Sequence, residues 1–419
     1  MEILNDADKE KGLLFLMHTF PLYSTTFISN EVDELRRQGV ALKLFAIQPP
    51  QTSHYPKEMN RFFTETTYLF PIHFFKMLAR HFRALFFMPI TYLQTLWGAL
   101  SWGKLAIKDR IRTCYHFVEA IYFYPEIASA GCQHLHVHFL SGGATIAFFL
   151  HKMYGVRYSL TAHGTDIFVE KVWLKEKLSH AVIVRVGTRY NQQYLKGLLP
   201  SHVHLPIHVL PFGINVDMIS RTEPKLSSGR LMLLNVGNLV WQKAQGLLLE
   251  ACHLLCDMGI DFHLTIVGRG PLRHTLEKKR EALDLTSRVT LTGALSPSDV
   301  FERYRHSDIF VLSSVSEGFG MVLIEAMAAG VPVVAPALNG IAEIVDDGTD
   351  GRLFQPGSVQ SLALVLQELC GDQDRRKQFG QNGQRKARER YQLTQAVSRF
   401  YSVLQQSTHE KTLALPVQS

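Results

Sequence analysis

Short apolar runs alternate with amphipathic helical periods along most of this chain. Runs at 12–20 (GLLFLMHTF), 41–47 (ALKLFAI), 134–139 (HLHVHF), 157–163 (RYSLTAH), 181–186 (AVIVRV) and 208–212 (HVLPF) predict one series of strands. A second series begins at 231–237 (LMLLNVG) and continues at 262–268, 288–293, 309–314 and 331–336. Nearly unbroken apolar strands with helices between them are the pattern of parallel sheets covered on both faces. The prediction is therefore an α/β fold of two doubly wound, Rossmann-like domains facing a cleft between them, where ligands usually bind. Gly39 is placed to close a helix over 26–38, and Ser296, Pro297 and Asp299 to open another. DDGTDG (346–351) reads as turn. The predicted organisation is a flexible N-terminus (1–12), a first domain (13–212) with a helical stretch at 71–128, and a linker (213–230). A second domain (231–390), a helix crossing back to the first domain (391–406) and a flexible tail (407–419) complete it.

Composition narrows the class. The chain has 419 residues, 46% hydrophobic and 19% charged, which rules out wholesale disorder and collagen-like repeats. Five Cys in that length cannot form a disulfide framework. Cys252 and Cys256, four apart on an apolar helix, read as core. The net charge is +7, and the surplus lies in the first half. Lys76, Arg80, Arg83, Lys104, Lys108, Arg110 and Arg112 stand against one acid, Asp109, between 71 and 112. Because Phe, Trp and Leu crowd the same stretch, an anionic bilayer surface is a better partner for it than nucleic acid.

Residues 84–103 carry no charge, but Pro89, Gln94, Ser101 and two Gly dilute them, so they read as buried or interfacial helices and not as a span. Four acids precede any apolar run at the N-terminus, unlike a secretory leader, and the expected place is the cytosol, at the membrane's cytoplasmic face. No G-x-x-x-x-G-K-[ST], G-x-G-x-x-G after a strand, G-x-S-x-G or H-E-x-x-H occurs. D-x-D pairs occur only at Asp6/Asp8 and Asp372/Asp374, away from strand ends, so no catalytic metal and no bound cofactor is expected.

The strongest chemistry follows the run IFVLSS, in SSVSEGFGMVLIEAMAAG (313–330). Glu317 closes a strand-to-helix loop, Gly318 and Gly320 let backbone approach a ligand, and the helix start offers unpaired N–H groups to a phosphate. Glu325, eight positions on, stands in an otherwise apolar helix and needs a hydrogen-bond partner. This segment, with Phe319, Met321 and Val322, resembles the E-x7-E signature of the retaining glycosyltransferases of family 4, which have the GT-B fold. The resemblance implies that Glu317 contacts the donor sugar and Glu325 the ribose of its nucleotide.

VGNLVWQKAQG (236–246) resembles that family's V-G-R-L-x-x-x-K-G segment. Lys243 matches the diphosphate-binding Lys, Asn238 replaces the usual Arg and Ala244 the usual Gly. IVGRGPL (266–272) is similar to the I-V-G-x-G-P turn, with Gly268 and Gly270 lining the nucleotide side, and Asn339-Gly340 stands where Gly-Gly is usual. HTFPLYSTTFISNEVDEL (18–35) and SLTAHGTDIF (159–168) resemble the exopolysaccharide and colanic-acid branch, and the family's cleft histidine maps to His163, with Asp166 on the same loop. His136 and His138 share a sheet face and read as structural.

What the resemblance implies is metal-independent, retaining transfer of a hexose from a nucleotide-diphosphate sugar to a growing, lipid-linked glycan, with Lys243, Glu317 and His163 in the catalytic roles. The first domain would take the acceptor and the second the nucleotide sugar. The alternatives are a nucleotide-sugar epimerase or phosphorolytic enzyme on the same architecture, or a non-catalytic glycan- or membrane-binding subunit.

Overall fold

The computed structural model describes residues 12–22, 25–50, 59–101, 105–131, 134–169, 172–220 and 229–413. Residues 1–11 of the expected N-terminal arm with Asp6/Asp8, Lys104, residues 221–228 of the expected 213–230 linker and residues 414–419 of the expected tail lie outside them. Two compact units emerge. The first comprises residues up to 187, 191–210 and 397 onward; the second comprises 188–190 and 211–396.

The first unit is built on a seven-stranded parallel sheet of β1 (Leu13–Thr19), β2 (Leu42–Gln48), β3 (Thr66–Tyr68), β4 (His134–His138), β5 (Tyr158–Thr161), β6 (Val184–Val186) and β7 (Ile207–Val209). Its strand order is 3-2-1-4-5-6-7. β1 and β4 run side by side in register, Phe15 opposite His136. Sequence order reverses between these two strands, so the ends of β1 and β4 mark the switch point of the sheet. Leu13–Met17 are all buried, which explains the absence of polar alternation in this run. β3 escapes the hydrophobic pattern because an edge strand of three residues has too little apolar length to register.

The charge-free stretch at 84–103 is not one element. A helix over Phe74–Phe87 ends at Met88, and Pro89, which cannot donate to a preceding turn, opens a separate helix, Pro89–Ser101. Both pack on the long helix Ile107–Ser129. No described helix is long and apolar enough to cross a membrane.

The second unit carries a six-stranded parallel sheet: β8 (Leu231–Val236), β9 (Phe262–Val267), β10 (Val289–Gly293), β11 (Ile309–Val311), β12 (Val333–Pro336) and β13 (Gly351–Phe354), in the order 10-9-8-11-12-13. Its switch point lies between β8 and β11. The expected turn at 346–351 leads straight into β13, whose Gly351 has Val333 O only 2.5 Å from where a Cβ would sit. Asp372 proves to be a helix N-cap, accepting from the Arg375 amide at 2.9 Å. Cys252 is buried in the core on Gln245–Asp257 and Cys256 half-buried beside it.

The last helix runs Leu393–Leu413, seven residues beyond the expected end. Its first turn is bound into the second unit: Ile214 N donates to Tyr391 O and Leu393 N to Ile214 O, both at 2.9 Å. Gly213 has Leu393 Cα within 2.6 Å of an ideal Cβ, and any side chain there would separate the two segments. From residue 397 the helix belongs to the first unit, where Phe400 lies over the Arg185 guanidinium at 4.5 Å.

Candidate functional site

The loops that leave β8 and β11 emerge from neighbouring strands at the switch point and are tied to each other. Ser313 Oγ donates to Lys243 O at 2.7 Å and Val315 N to Gln242 O at 2.8 Å. The lysine stem crosses the face of Gly237, where an ideal Cβ would lie 3.6 Å from Lys243 Cδ. Its ammonium forms an ion pair with Glu317 Oε2, which also accepts from Ser314 Oγ at 3.3 Å. Two residues 74 positions apart in sequence thus meet three residues before Gly320, the left-handed N-cap (φ 73°) of the helix Met321–Ala328. The amides of that first turn and the Lys243 ammonium offer two positive features at one strand end, the arrangement a diphosphate requires.

Glu325 has the partner its setting demands. Buried Tyr304 donates to Glu325 Oε2 at 2.9 Å, and burial raises the carboxyl to about 7 although this bond opposes the shift. Near neutrality the residue is poised between acid and carboxylate. Asn238 is exposed, and its carbonyl accepts from Gln245 Nε2 at 3.1 Å. Met321 and Val322 are half-buried on the first helical turn. Phe319 differs from the expected donor contact: its ring is buried against Phe212 and Tyr391, at 5.1 and 6.1 Å between centroids. It anchors the loop that carries Gly318 and Gly320.

The glycines of the β9 loop also have a nearer purpose than lining a nucleotide. Gly268 (φ 153°) would place a Cβ 1.9 Å from Gly237 O, and Gly270 one 2.4 Å from Leu239 O. Backbone packs on backbone here, and Gly237 N→Val267 O and Leu239 N→Arg269 O, both 2.9 Å, lock the Lys243 loop in place. Ala244 is left-handed (φ 46°), which accounts for the glycine usual at this position in the family the sequence resembles.

His163 belongs to the first unit, just beyond β5. Its Nε2 lies 3.0 Å from His138 Nδ1, and its ring rests on Phe139 and Phe27, with centroids 4.4 and 4.9 Å away. Burial, then His138 and the Arg185 charge, holds it well below the usual imidazole value, so it is neutral. Asp166 fastens the loop by accepting from His163 N (2.9 Å) and Leu140 N (2.8 Å). Burial lifts its carboxyl to about 6 against those bonds. His136 is satisfied by Ser159 and Thr161, at 2.7 and 2.8 Å, and is structural; His138 is the link to His163.

The sequence reading passed over a third group. At the β1/β4 switch point, Glu119 Oε2 sits 2.6 Å from buried His116 Nδ1, while His116 Nε2 and His18 Nδ1 lie 3.1 and 3.2 Å from the Cβ position of Gly142, which opens the helix Gly142–Tyr154. Nothing in the spacing of residues 18, 116, 119 and 142 announces this meeting. Among the described residues no group of three His, Cys, Asp or Glu is arranged to hold a metal ion.

The family profile described as "Glycosyl transferases group 1" matches residues 218–386. The putative colanic acid biosynthesis glycosyltransferase WcaL of Salmonella typhimurium is 25% identical over 379 residues, covering 85% of this chain and 89% of that protein. The amylovoran biosynthesis glycosyltransferase AmsK of Erwinia amylovora is 36% identical over 170 residues, 39% of this chain and 42% of its own. Among solved structures, sucrose-phosphate synthase from Thermosynechococcus elongatus superposes with a TM-score of 0.73 at 18% identity, over 96% of this chain and all of that one. Anabaena HepE in complex with UDP-glucose gives 0.69 at 15%, over 94% and 99%. Residues 218–386 thus match the group 1 glycosyltransferase family, and the chain has the GT-B fold of these solved structures.

Proposed function

We propose that the chain transfers a hexose, with retention at the anomeric carbon, from a nucleotide-diphosphate sugar to a growing lipid-linked polysaccharide. The observation that carries this reading is the Lys243–Glu317 pair at the β8/β11 switch point, beside the start of the Met321–Ala328 helix. The roles for which WcaL and AmsK are named, colanic acid and amylovoran biosynthesis, support an exopolysaccharide product, and the UDP-glucose in HepE supports the donor class.

In this reading the bond between the anomeric carbon and the donor phosphate breaks, a bond to an acceptor hydroxyl forms, and the hydroxyl proton passes to the departing nucleoside diphosphate. Lys243 and the amides from Gly318 to Val322 take up the charge on that leaving group, a role a divalent cation plays in other transferases. Lys243 exchanges Glu317 for phosphate oxygens, which frees Glu317 to accept from sugar hydroxyls, and Glu325 accepts from the ribose. In the first unit, neutral His163 and the His18/His116/Glu119 group supply hydrogen bonds to sugar or acceptor hydroxyls. The basic stretch at 71–112 draws the protein to an anionic membrane that holds the acceptor.

Thermal-shift screening of UDP- and GDP-sugars, followed by product analysis with and without glycan acceptor, tests the reading. A donor that stabilises wild type but not Lys243→Ala, and is consumed only with acceptor present, supports it. Consumption that is independent of acceptor, or undiminished in Lys243→Ala and Glu317→Gln, refutes it.

A further inference from the structure

The helix Phe74–Phe87 is amphipathic, but it is mounted with its polar side inward. Arg80 forms a bidentate pair with Glu126 of the Ile107–Ser129 helix (2.6 and 2.7 Å) and lies over the Tyr122 ring at 4.7 Å. Lys76 reaches the same carboxylate at 3.2 Å, and His81 bonds Tyr92 at 2.9 Å. The opposite face, Phe75, Leu78, Phe82 and Phe86, points to solvent with Phe75 at 84% exposure. The Pro89–Ser101 helix repeats the device with Ile90, Leu93, Trp97 and Leu100, and the start of the long helix with Ile107, Ile111 and Tyr115. Each set recurs at three- and four-residue spacing, the period of a helix face meant to be covered. Of the nineteen large apolar side chains exposed among the described residues, fourteen fall between Phe74 and Tyr115.

We infer that these three faces insert together into the interfacial layer of an anionic lipid bilayer, the protein lying on the membrane with its aromatic side chains among the acyl chains. This deepens the membrane attachment proposed above, and replaces adhesion through charge by burial of apolar surface as its main source. Lys76, Arg80 and Arg112 are already answered by Glu126 and Asp109, so less of the cationic surplus is available to lipid than the sequence implied.

What remains exposed, Arg83 beside Phe87 and Lys108 beside Ile107, rims the apolar faces as phosphate headgroups require. The same charge distribution argues against a second copy as the occupant. A self-complementary contact would set this patch against itself, and its one acid, Asp109, is paired to Arg112. A helix of 14 residues is about 21 Å long, short of the roughly 30 Å hydrocarbon core, which fits lying on the bilayer and not crossing it.

The test is flotation of the full chain with phosphatidylcholine vesicles, with and without phosphatidylglycerol, at low and at molar salt. Expected is binding that persists at molar salt and falls about tenfold for each of Phe82→Ser, Phe86→Ser and Trp97→Ser. Arg83→Glu with Lys108→Glu should weaken binding about tenfold, at low salt and on phosphatidylglycerol only. Brominated lipid should quench a fluorescence component that Trp97→Phe removes.

Binding abolished by salt and indifferent to the aromatic variants, no binding to any vesicle, or a dimer in sedimentation that the same serine variants dissociate would each overturn the inference. Nucleotide-sugar thermal shifts on these variants should match wild type. Their absence in wild type would count against the catalytic reading and leave the membrane result standing.

Discussion

Replacing Glu325 by Gln tests the site at its most quantitative point. The carboxyl has an ordinary value of 4.5 and is raised to about 7 by burial beside Tyr304. Because the folded value lies above the unfolded one, both states are protonated below 4.5 and this group costs nothing there. As pH rises from 4.5 to 7, the unfolded chain releases the proton and the folded chain retains it. Each pH unit in that window removes about 1.4 kcal/mol. The side chain keeps some access to water, which trims the total to about 2–3 kcal/mol by pH 7 and above.

Glutamine keeps the Tyr304 hydrogen bond and has no proton to lose. Urea or thermal unfolding of the second unit at several pH values should therefore show Glu325→Gln matching wild type near pH 4.5. Above pH 7 it should exceed wild type by 2–3 kcal/mol, roughly 5–10 °C in midpoint. On the function proposed above, donor affinity should move the other way: in wild type it falls as pH drops from 8 to 6, because a carboxylate accepts ribose hydroxyls better than its neutral acid. In the variant it should be weaker and flat. Parallel stability curves, or a variant less stable than wild type at pH 8, would refute the assignment of a buried, destabilising carboxylate.

Three further outcomes follow from the geometry. Lys243→Ala should lower kcat/KM by about 10²–10³, and combining it with Glu317→Gln should cost less than the two singles multiplied, since each removes the other's partner; full additivity in a double-mutant cycle would contradict the pairing. Ala244→Gly should raise stability by about 0.5–1 kcal/mol in denaturant melts by relieving its left-handed backbone. Gly268→Ala should destabilise the second unit by at least about 2 kcal/mol and disorder the Lys243 loop, because its methyl would collide with Gly237 O; a melt unchanged from wild type would exclude so close an approach.

Long apolar runs such as Leu13–Met17 announced their strands, since a strand buried on both faces has no polar side to interrupt it. Glu317 and Glu325 were visible for a similar reason: acids in a glycine-bounded, apolar context have few structural explanations. What sequence did not disclose depends on distant partners. Tyr304 for Glu325, Lys243 against Glu317, and His18 beside His116 are set by strand order, which no local spacing encodes. Phe319, inside the motif, looked like a ligand contact and is an anchor, because the main chain turns its ring to Phe212 and Tyr391. The surface at 74–115 shows the converse limit: a helical stretch at 71–128 was legible, but neither its division into three helices nor the outward placing of their apolar faces was.

The contact that Gly213 permits gives the second unit an independence of its own. Its peptide begins at 211 and departs at 396, and two main-chain bonds between Ile214 and the Tyr391–Leu393 segment pin those ends together. A segment whose two ends already touch loses little by being cut from its neighbours, so 211–396 should be transferable as a cassette. On the function proposed above, exchange between relatives at those two cuts would carry donor choice with it and leave the recipient's own acceptor chemistry in place.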